Sequence, residues 1–378
     1  MATIELIATA TFGLEAVVAR EVQALGYTEL KVENAKVTFK ADERAIGRTN
    51  LWLRSADRVL IKMGEFPATS FEELFENTKA LPWSDWLPED ANFPVEGKSI
   101  RSKLFSVPDC QAIVKKAVVE SMKRRYPCQW FSETGPRFTI EVALLKDVAT
   151  LTIDTSGAGL HKRGYRKLSG AAPLKETLAA ALINLSYWKP ERVLVDPFCG
   201  SGTIPIEAAL IGLKRAPGLK RNFAAETWPL IPAKYWREAR EEAKDLALPD
   251  AKLSIRGTDI DREVLRLARY HAREAGVEGC IHWQQMPVSD LRARQKYGCI
   301  ICNPPYGQRM EELRSVERLY REMGQVFKPL DTWSFYVFTA HPQFEECFGR
   351  RADRRRKLYN GRIECQYYQY YGPRPPSS

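Results

Sequence analysis

Hydrophobic positions recur along this chain in two rhythms, and the rhythm changes near its middle. In the first 60 or so residues IELIATA alternates like a strand, and GLEAVVAREVQALG has the spacing of a helix stopped by Gly26. KVENAKVTFK reads as a hairpin, DERAIGRTNLWLRSAD as a helix and RVLIKMGEF as a further strand, so a small α+β unit is predicted. A second unit follows the Pro/Trp-rich stretch from Leu81 to Pro94. It holds the strand-like KSIRSKLFS, a helix from Val107 to Tyr126 with Pro108 in its first turn, and the β-rich run RFTIEVALLKDVATLTIDTS.

From about Leu174 apolar strands alternate with helices, the pattern of a parallel sheet with crossovers. The strands are ERVLVDPF, LSIRGTDI, CIHWQQM, GCIICNPP and WSFYVFTA; REVLRLARYHAREAG and VERLYREMGQVF are intervening helices. RRKLY and RIECQYYQYY then flank Asn360-Gly361, a dipeptide favoured in tight hairpins, so the last two strands should be antiparallel neighbours. Five parallel strands and a terminal hairpin outline an α/β fold of the class I methyltransferase type, a Rossmann-like seven-stranded sheet. A dinucleotide-binding domain would continue with parallel crossovers.

The first of these strands runs into DPFCGSGTIPIEAAL. A strand, a glycine-rich turn and a helix place backbone N–H groups against a polar ligand, and Gly200 and Gly202 permit the turn and a close approach. Pro205 stands where a GxGxxG fingerprint has its third glycine, and no Lys-Ser/Thr pair follows, which argues against a nicotinamide site and against a nucleotide P-loop. The second strand ends in GTDID. Asp259 is placed to take the ribose hydroxyls of a nucleoside lying across the strand ends, and Asp261 to cap the next helix. The spacing from Asp196 to Asp259 exceeds the usual roughly 20 residues because of an insertion from about Gly212 to Asp250, which either covers the cofactor or pads the domain.

Asn303-Pro304-Pro305-Tyr306 follows the fourth strand directly. Two prolines extend the backbone and remove two N–H donors, which leaves carbonyls to accept, and Asn303 adds a side-chain carbonyl. Acceptors in this arrangement can hold an exocyclic NH2 by its hydrogens and aim its lone pair at an electrophilic methyl, while Tyr306 offers a face for an extracted base.

These residues carry a resemblance. NPPY with DPFCGSGT resembles the amino-methyltransferase branch of class I S-adenosylmethionine enzymes. LHKRGYRKLSGAAPLKETLAAAL and SKLFSVPDCQAIVKKAVVESMKRRY further resemble the bacterial THUMP-containing ribosomal RNA guanine-N2 methyltransferases, the group of the RlmL methylase half. The resemblance implies a ferredoxin-like unit over residues 1–65, a THUMP RNA-binding domain over 66–155, a linker over 156–173 and a methyltransferase domain over 174–378. It also implies S-adenosyl-L-methionine as cofactor, held by Asp196, Phe198, Gly200, Ser201, Gly202, Thr203, Asp259 and Ile260. The adenine contact is Asp290 or the backbone near Pro287. Asn303, Pro304, Pro305 and Tyr306 are the expected catalytic set.

A net charge of +10 fits a polyanionic partner. Lys115, Lys116, Lys123 and Arg124 on the predicted helix are the candidate RNA contacts, with Lys162 and Arg163 of the hinge segment that also holds His161, Tyr165 and Arg166. Taken without context the helix cations read as a solvated face, and the hinge residues read equally as phosphate or cofactor contacts or as a polar linker. The expected partner is structured RNA, ribosomal RNA or an assembling large-subunit particle. No apolar run approaches the roughly 20 residues of a membrane span, and the chain reads as cytoplasmic. Cys299 and Cys302, three apart on a strand, face opposite ways and should not share a metal, so no metal is expected. Two other functions compete: a DNA adenine-N6 or cytosine-N4 amino-methyltransferase, and a non-catalytic RNA-binding assembly factor. The intact glycine turn, GTDID and NPPY weigh against the second.

Overall fold

The computed structural model describes residues 3–167, 174–307 and 310–376. Its first half contains β1 (Ile4–Ala10), α1 (Glu15–Ala24), β2 (Leu30–Glu33), β3 (Lys36–Ala41), α2 (Arg44–Trp52) and β4 (Ala56–Pro67). α3 (Phe71–Ala80), β5 (Val95–Ile100), α4 (Val107–Met122), β6 (Ile140–Leu145) and β7 (Val148–Asp154) follow. All these strands join one seven-stranded sheet, ordered β2-β3-β1-β4-β7-β6-β5. The cause is β4, whose 12 residues pair with β1 early in the strand and with β7 from Leu60 to Pro67. The division expected between residues 65 and 66 falls inside that strand, so both expected units share one sheet and one apolar core. Gly26 follows α1 at φ +92, the left-handed stop expected of it. α4 ends at Met122 rather than Tyr126, and hydrogen-bonded turns carry the chain from there to Tyr126, before Pro127.

The second half holds α5 (Glu176–Asn184), β8 (Leu194–Asp196), α6 (Thr203–Gly212), α7 (Ala233–Asp245), β9 (Ile255–Asp259), α8 (Arg262–Ala275) and β10 (Ile281–Gln285). β11 (Cys299–Cys302), α9 (Met310–Phe327), β12 (Ser334–Thr339), α10 (Phe344–Phe348), β13 (Arg354–Asn360) and β14 (Ile363–Tyr370) complete it. The order is β10-β9-β8-β11-β12-β14-β13. Neighbours are parallel from β10 to β12, and β14 lies antiparallel between β12 and β13. This is the class I methyltransferase sheet. Asp261 caps α8, accepting from the Glu263 and Val264 amides at 2.8 and 3.3 Å. In the terminal hairpin Asn360 is still paired, opposite Ile363, so Gly361 at φ +63 and Arg362 form the turn, one residue later than the Asn-Gly pair suggests. Cys299 and Cys302 are buried in separate cores on the two faces of the sheet.

The insertion after α6 neither covers the cavity described below nor pads the domain. It docks the two halves. Trp228 stacks on Phe138 at 4.3 Å and donates from Nε1 to the Arg137 carbonyl. Phe223 stacks on Trp236, which packs over Gly47 of α2, and Glu242 of α7 pairs with Arg48 at 2.7 Å. Phe223, Trp228 and Trp236 therefore belong to the first sheet's core although they lie in the second half of the chain. No helix among the described residues is long and apolar enough to cross a membrane.

Candidate active site

A parallel sheet brings successive loops to one edge. Here the loops after β8, β9, β10 and β11 border a cavity of about 530 Å³, closed on its far side by α9 and the terminal hairpin. Phe198, Gly200, Asp259, Ile260, Asn303, Pro304, Pro305 and Tyr306 all line it. Eight residues proposed from sequence thus meet at one place.

The glycine turn is built by two different constraints. Gly200 has φ +51 with open space around its Cα, so backbone conformation alone calls for glycine. Gly202, at φ +86, is also crowded: a Cβ there would sit 2.7 Å from the Trp283 ring and 3.1 Å from Ala268. The Asp259 carboxylate accepts from the Gly200 amide at 2.9 Å and the Asp261 amide at 3.0 Å, which fixes its direction and leaves further lone pairs toward the cavity. Ile260 beside it is 71% exposed, an apolar face turned to solvent at the cavity wall.

Asp196, Ser201, Gly202 and Thr203 stand behind this surface. Asp196 is buried and accepts from the Phe198 amide at 3.1 Å; burial foremost, with the Asp259 charge adding, pushes its carboxyl well above the usual range. The Ser201 carbonyl meets His271 Nδ1 at 3.2 Å, and the Thr203 hydroxyl accepts from Arg166, which pairs with Glu176 at 3.2 Å. Asp290 is exposed, and its carboxylate accepts from the neighbouring Ser289 hydroxyl; it lies outside the cavity lining, where Met286, Pro287 and Val288 are found instead. Of the two expected adenine contacts, the structure places the Pro287 segment at the site.

The NPPY segment is less open than its sequence suggests. Tyr320 of α9 donates to the Pro305 carbonyl at 2.6 Å and meets the Thr339 hydroxyl at 2.9 Å, so one of the carbonyls expected to face substrate is committed to the fold. Tyr306 donates its hydroxyl to Asn303 Oδ1. Burial, and the neighbouring Cys365, raise the Tyr306 phenol above its ordinary value, so it remains a donor. Leu319 and Glu322 of α9 and Asn360 and Ile363 of the hairpin also line the cavity. Sequence reasoning missed these four, since only the 3-residue spacing of Leu319 and Glu322 on a helix hints that they share a face.

The expected RNA contacts scatter. Lys116, Lys123, Arg124 and Lys162 are exposed, Lys123 being paired with Glu120 at 2.9 Å. Lys115 is committed to Glu133 at 2.6 Å and sits 3.5 Å from the Phe93 ring centre. Arg163 must be withdrawn as an RNA contact: it is 3% exposed, donates to the Leu160 and Arg54 carbonyls, and pairs with Glu207, which also accepts from Tyr165 at 3.1 Å. Its neighbours Leu160 and Tyr165 are buried as well, so the hinge segment turns inward there. Residues 168–173 of the expected linker lie outside the described residues. Among the described residues no group of three His, Cys, Asp or Glu side chains could hold a metal.

Comparison with known proteins identifies the family. Residues 163–369 match the family described as RMKL-like, methyltransferase domain; residues 5–60 match the RlmL ferredoxin-like domain and 68–154 the THUMP domain. A Bacillus subtilis (strain 168) protein named "Putative RNA methyltransferase YpsC" is 53% identical over 97% of this chain and 95% of its own. The crystal structure of a predicted N6-adenine-specific DNA methylase from Listeria monocytogenes is 55% identical, with a TM-score of 0.94 over 99% of this chain and 97% of that one. That of SMU.472 complexed with SAH is 46% identical, with a TM-score of 0.94 over 99% and 100%. The chain belongs to the RMKL-like methyltransferase family, its catalytic domain preceded by RlmL ferredoxin-like and THUMP domains.

Proposed function

We propose that this methyltransferase uses S-adenosylmethionine to methylate the exocyclic N2 amine of a guanine in structured RNA, with 23S ribosomal RNA as the first candidate. The observation that carries the reading is the convergence of Asn303, Pro304 and Tyr306 with Asp259 and Phe198 on one cavity. The residues fit the cofactor. Asp259 is held by two amides with lone pairs to spare for a ribose diol, and Ile260, Pro287 and Val288 offer apolar surface to a flat base. S-adenosylmethionine, when bound, supplies an electrophilic methyl on a sulfonium.

The chain's own residues do the rest. With the Pro305 carbonyl held by Tyr320, the acceptors left for an amine are Asn303 Oδ1 and the Pro304 carbonyl. Gripping both amine hydrogens withdraws the nitrogen lone pair from the ring and points it along the line of transfer. In doing so the amine takes the place of the Tyr306 hydroxyl on Asn303, and the Tyr306 ring becomes available to stack on the base.

RNA is favoured over DNA by the THUMP match and by the name of the Bacillus relative, although the Listeria structure is titled a DNA methylase. NPPY itself accepts any aromatic amine, and N2 of guanine rests on the resemblance of the hinge and THUMP segments. Mass spectrometry of ribosomal RNA nucleosides, with and without the gene, tests this directly. Loss of N2-methylguanosine at one position is expected. Loss of a methylated adenine or cytosine from DNA, with RNA unchanged, overturns it.

A further inference from the structure

Trp130 is 84% exposed, a large apolar ring placed in water on the loop between α4 and β6. The loop around it is anchored. Phe131 is buried, with its ring 6.3 Å from Phe93 and 6.5 Å from Tyr126, and the Tyr126 hydroxyl donates to the Leu87 carbonyl at 3.0 Å. Two residues beyond Phe131, Glu133 is tied to Lys115, and the Gly135 amide donates to the Asp90 carbonyl at 2.7 Å. With Phe131 pinned inward, its neighbour Trp130 is presented outward from a fixed backbone.

Exposed cations precede the same loop. Lys123, Arg124 and Arg125 are exposed and lead directly into Tyr126, whose ring meets that of Phe131. The chain therefore leaves the basic turn at Tyr126 and returns to it one residue after Trp130. Lys123 has Glu120 as a partner, while Arg124 and Arg125 enter no ion pair recorded among the described residues. The same loop rejoins the sheet at Arg137, whose carbonyl is held by Trp228 of the docking insertion, so this end of the first sheet is the one next to the catalytic half.

We propose that Trp130 and the Lys123–Arg125 turn form a stacking subsite for an unpaired nucleotide of the RNA, at the end of the RNA-binding sheet nearest the catalytic domain. The proposal rests on the RNA reading above and names which part of the RNA is held. An exposed indole gives a flat face to any base, the adjacent guanidinium groups meet the phosphates on either side, and a paired base offers no free face. A protein partner for the same ring would call for exposed apolar residues along the loop, and the exposed residues that precede it include Lys123, Arg124, Arg125 and Gln129.

The test uses the full chain and two probes, a short single-stranded oligoribonucleotide of mixed sequence and the blunt duplex it forms with its complement, each labelled for fluorescence anisotropy at low salt. Trp130→Ala should weaken single-strand binding about tenfold, within the range for loss of one stacked base, and leave duplex binding unchanged. Trp130→Phe should retain most of the affinity. Thermal unfolding of each variant at the wild-type temperature shows that the loss is local. Equal single-strand affinity in Trp130→Ala overturns the proposal, as does an equal loss for both probes or a wild-type protein that does not bind the single strand. Methyl transfer to total RNA, measured alongside, separates the two readings: its absence with the Trp130 effect intact rejects the RNA-methylation reading, and its presence without that effect rejects the subsite.

Discussion

The two seven-stranded sheets of this chain have the same strand number and opposite consequences. In the first, nearly every neighbouring pair is antiparallel, so along each edge strand starts alternate with strand ends, β6 beside β5 excepted. In the second, five parallel strands deliver four successive loops to one edge, where Phe198, Asp259, Pro287 and Asn303 meet. Chemistry needs several groups within a few ångströms, and parallel connectivity supplies that. Gripping RNA, as proposed, needs an extended surface, which the first sheet and its helices offer.

Contrasting roles predict contrasting losses. The largest should come where the sheets are joined. Trp236→Ala removes a buried indole shared by Phe223 and Gly47 and should cost about 3–5 kcal/mol, and calorimetry should show one unfolding transition splitting toward two. A single unshifted transition would mean that the insertion does not hold the halves together.

Next is the second sheet's chemistry. Asn303→Ala should lower single-turnover methylation by about a hundredfold, near 2.7 kcal/mol, with RNA affinity little changed. Near-normal turnover in a rapid-quench assay would remove Asn303 from the reaction. Asp259→Ala should weaken S-adenosylmethionine binding by about 1–3 kcal/mol in titration calorimetry, since it leaves buried polar partners unpaired. Asp290→Ala, outside the cavity, should leave that affinity unchanged.

The smallest effect sits at the hinge. Burial, then the charges of Lys175, Lys162, Arg163 and Arg221, hold the His161 pKa down to about 4, below the roughly 6.5 of an unfolded chain. As pH falls from about 6.5 toward 4 the unfolded chain takes up a proton that the folded chain refuses, so stability declines across that window and levels off below it. The imidazole is partly open to solvent, and screening should limit the change to ~1 kcal/mol. His161→Gln should flatten the pH dependence of Tm there; an identical slope in both proteins would assign it to other groups.

How much of this is legible without coordinates differs by residue. The glycine turn, Asp261 as a helix cap, the order of apolar strands and the terminal hairpin follow from spacing, because each is set by hydrogen bonds and backbone angles a few residues apart. Asp259, Asn303 and Tyr306 could be named because strand ends in a parallel sheet share an edge. Arg163 misled because a cation in a polar segment looks the same whether solvent or Glu207 receives it. Asp290 falls outside the cavity lining, and the one-turn bend from Val288 to Asp290 that follows Pro287 is not marked by any periodicity.

By itself, then, the sequence determined the class of fold and put the glycine turn and the Asn303–Tyr306 segment at strand ends, since local backbone geometry and hydrophobic period encode all three. Only the tertiary structure decided that β4 fuses two expected units into one sheet, that the 212–250 insertion is a dock, and that Tyr320 takes the Pro305 carbonyl. Those outcomes depend on packing between residues distant in the chain. β4 meets β7 some 90 residues later, and Trp236 meets Gly47 across roughly 190. No periodicity within either segment records its partner, because burial rewards an apolar surface equally whichever neighbour covers it.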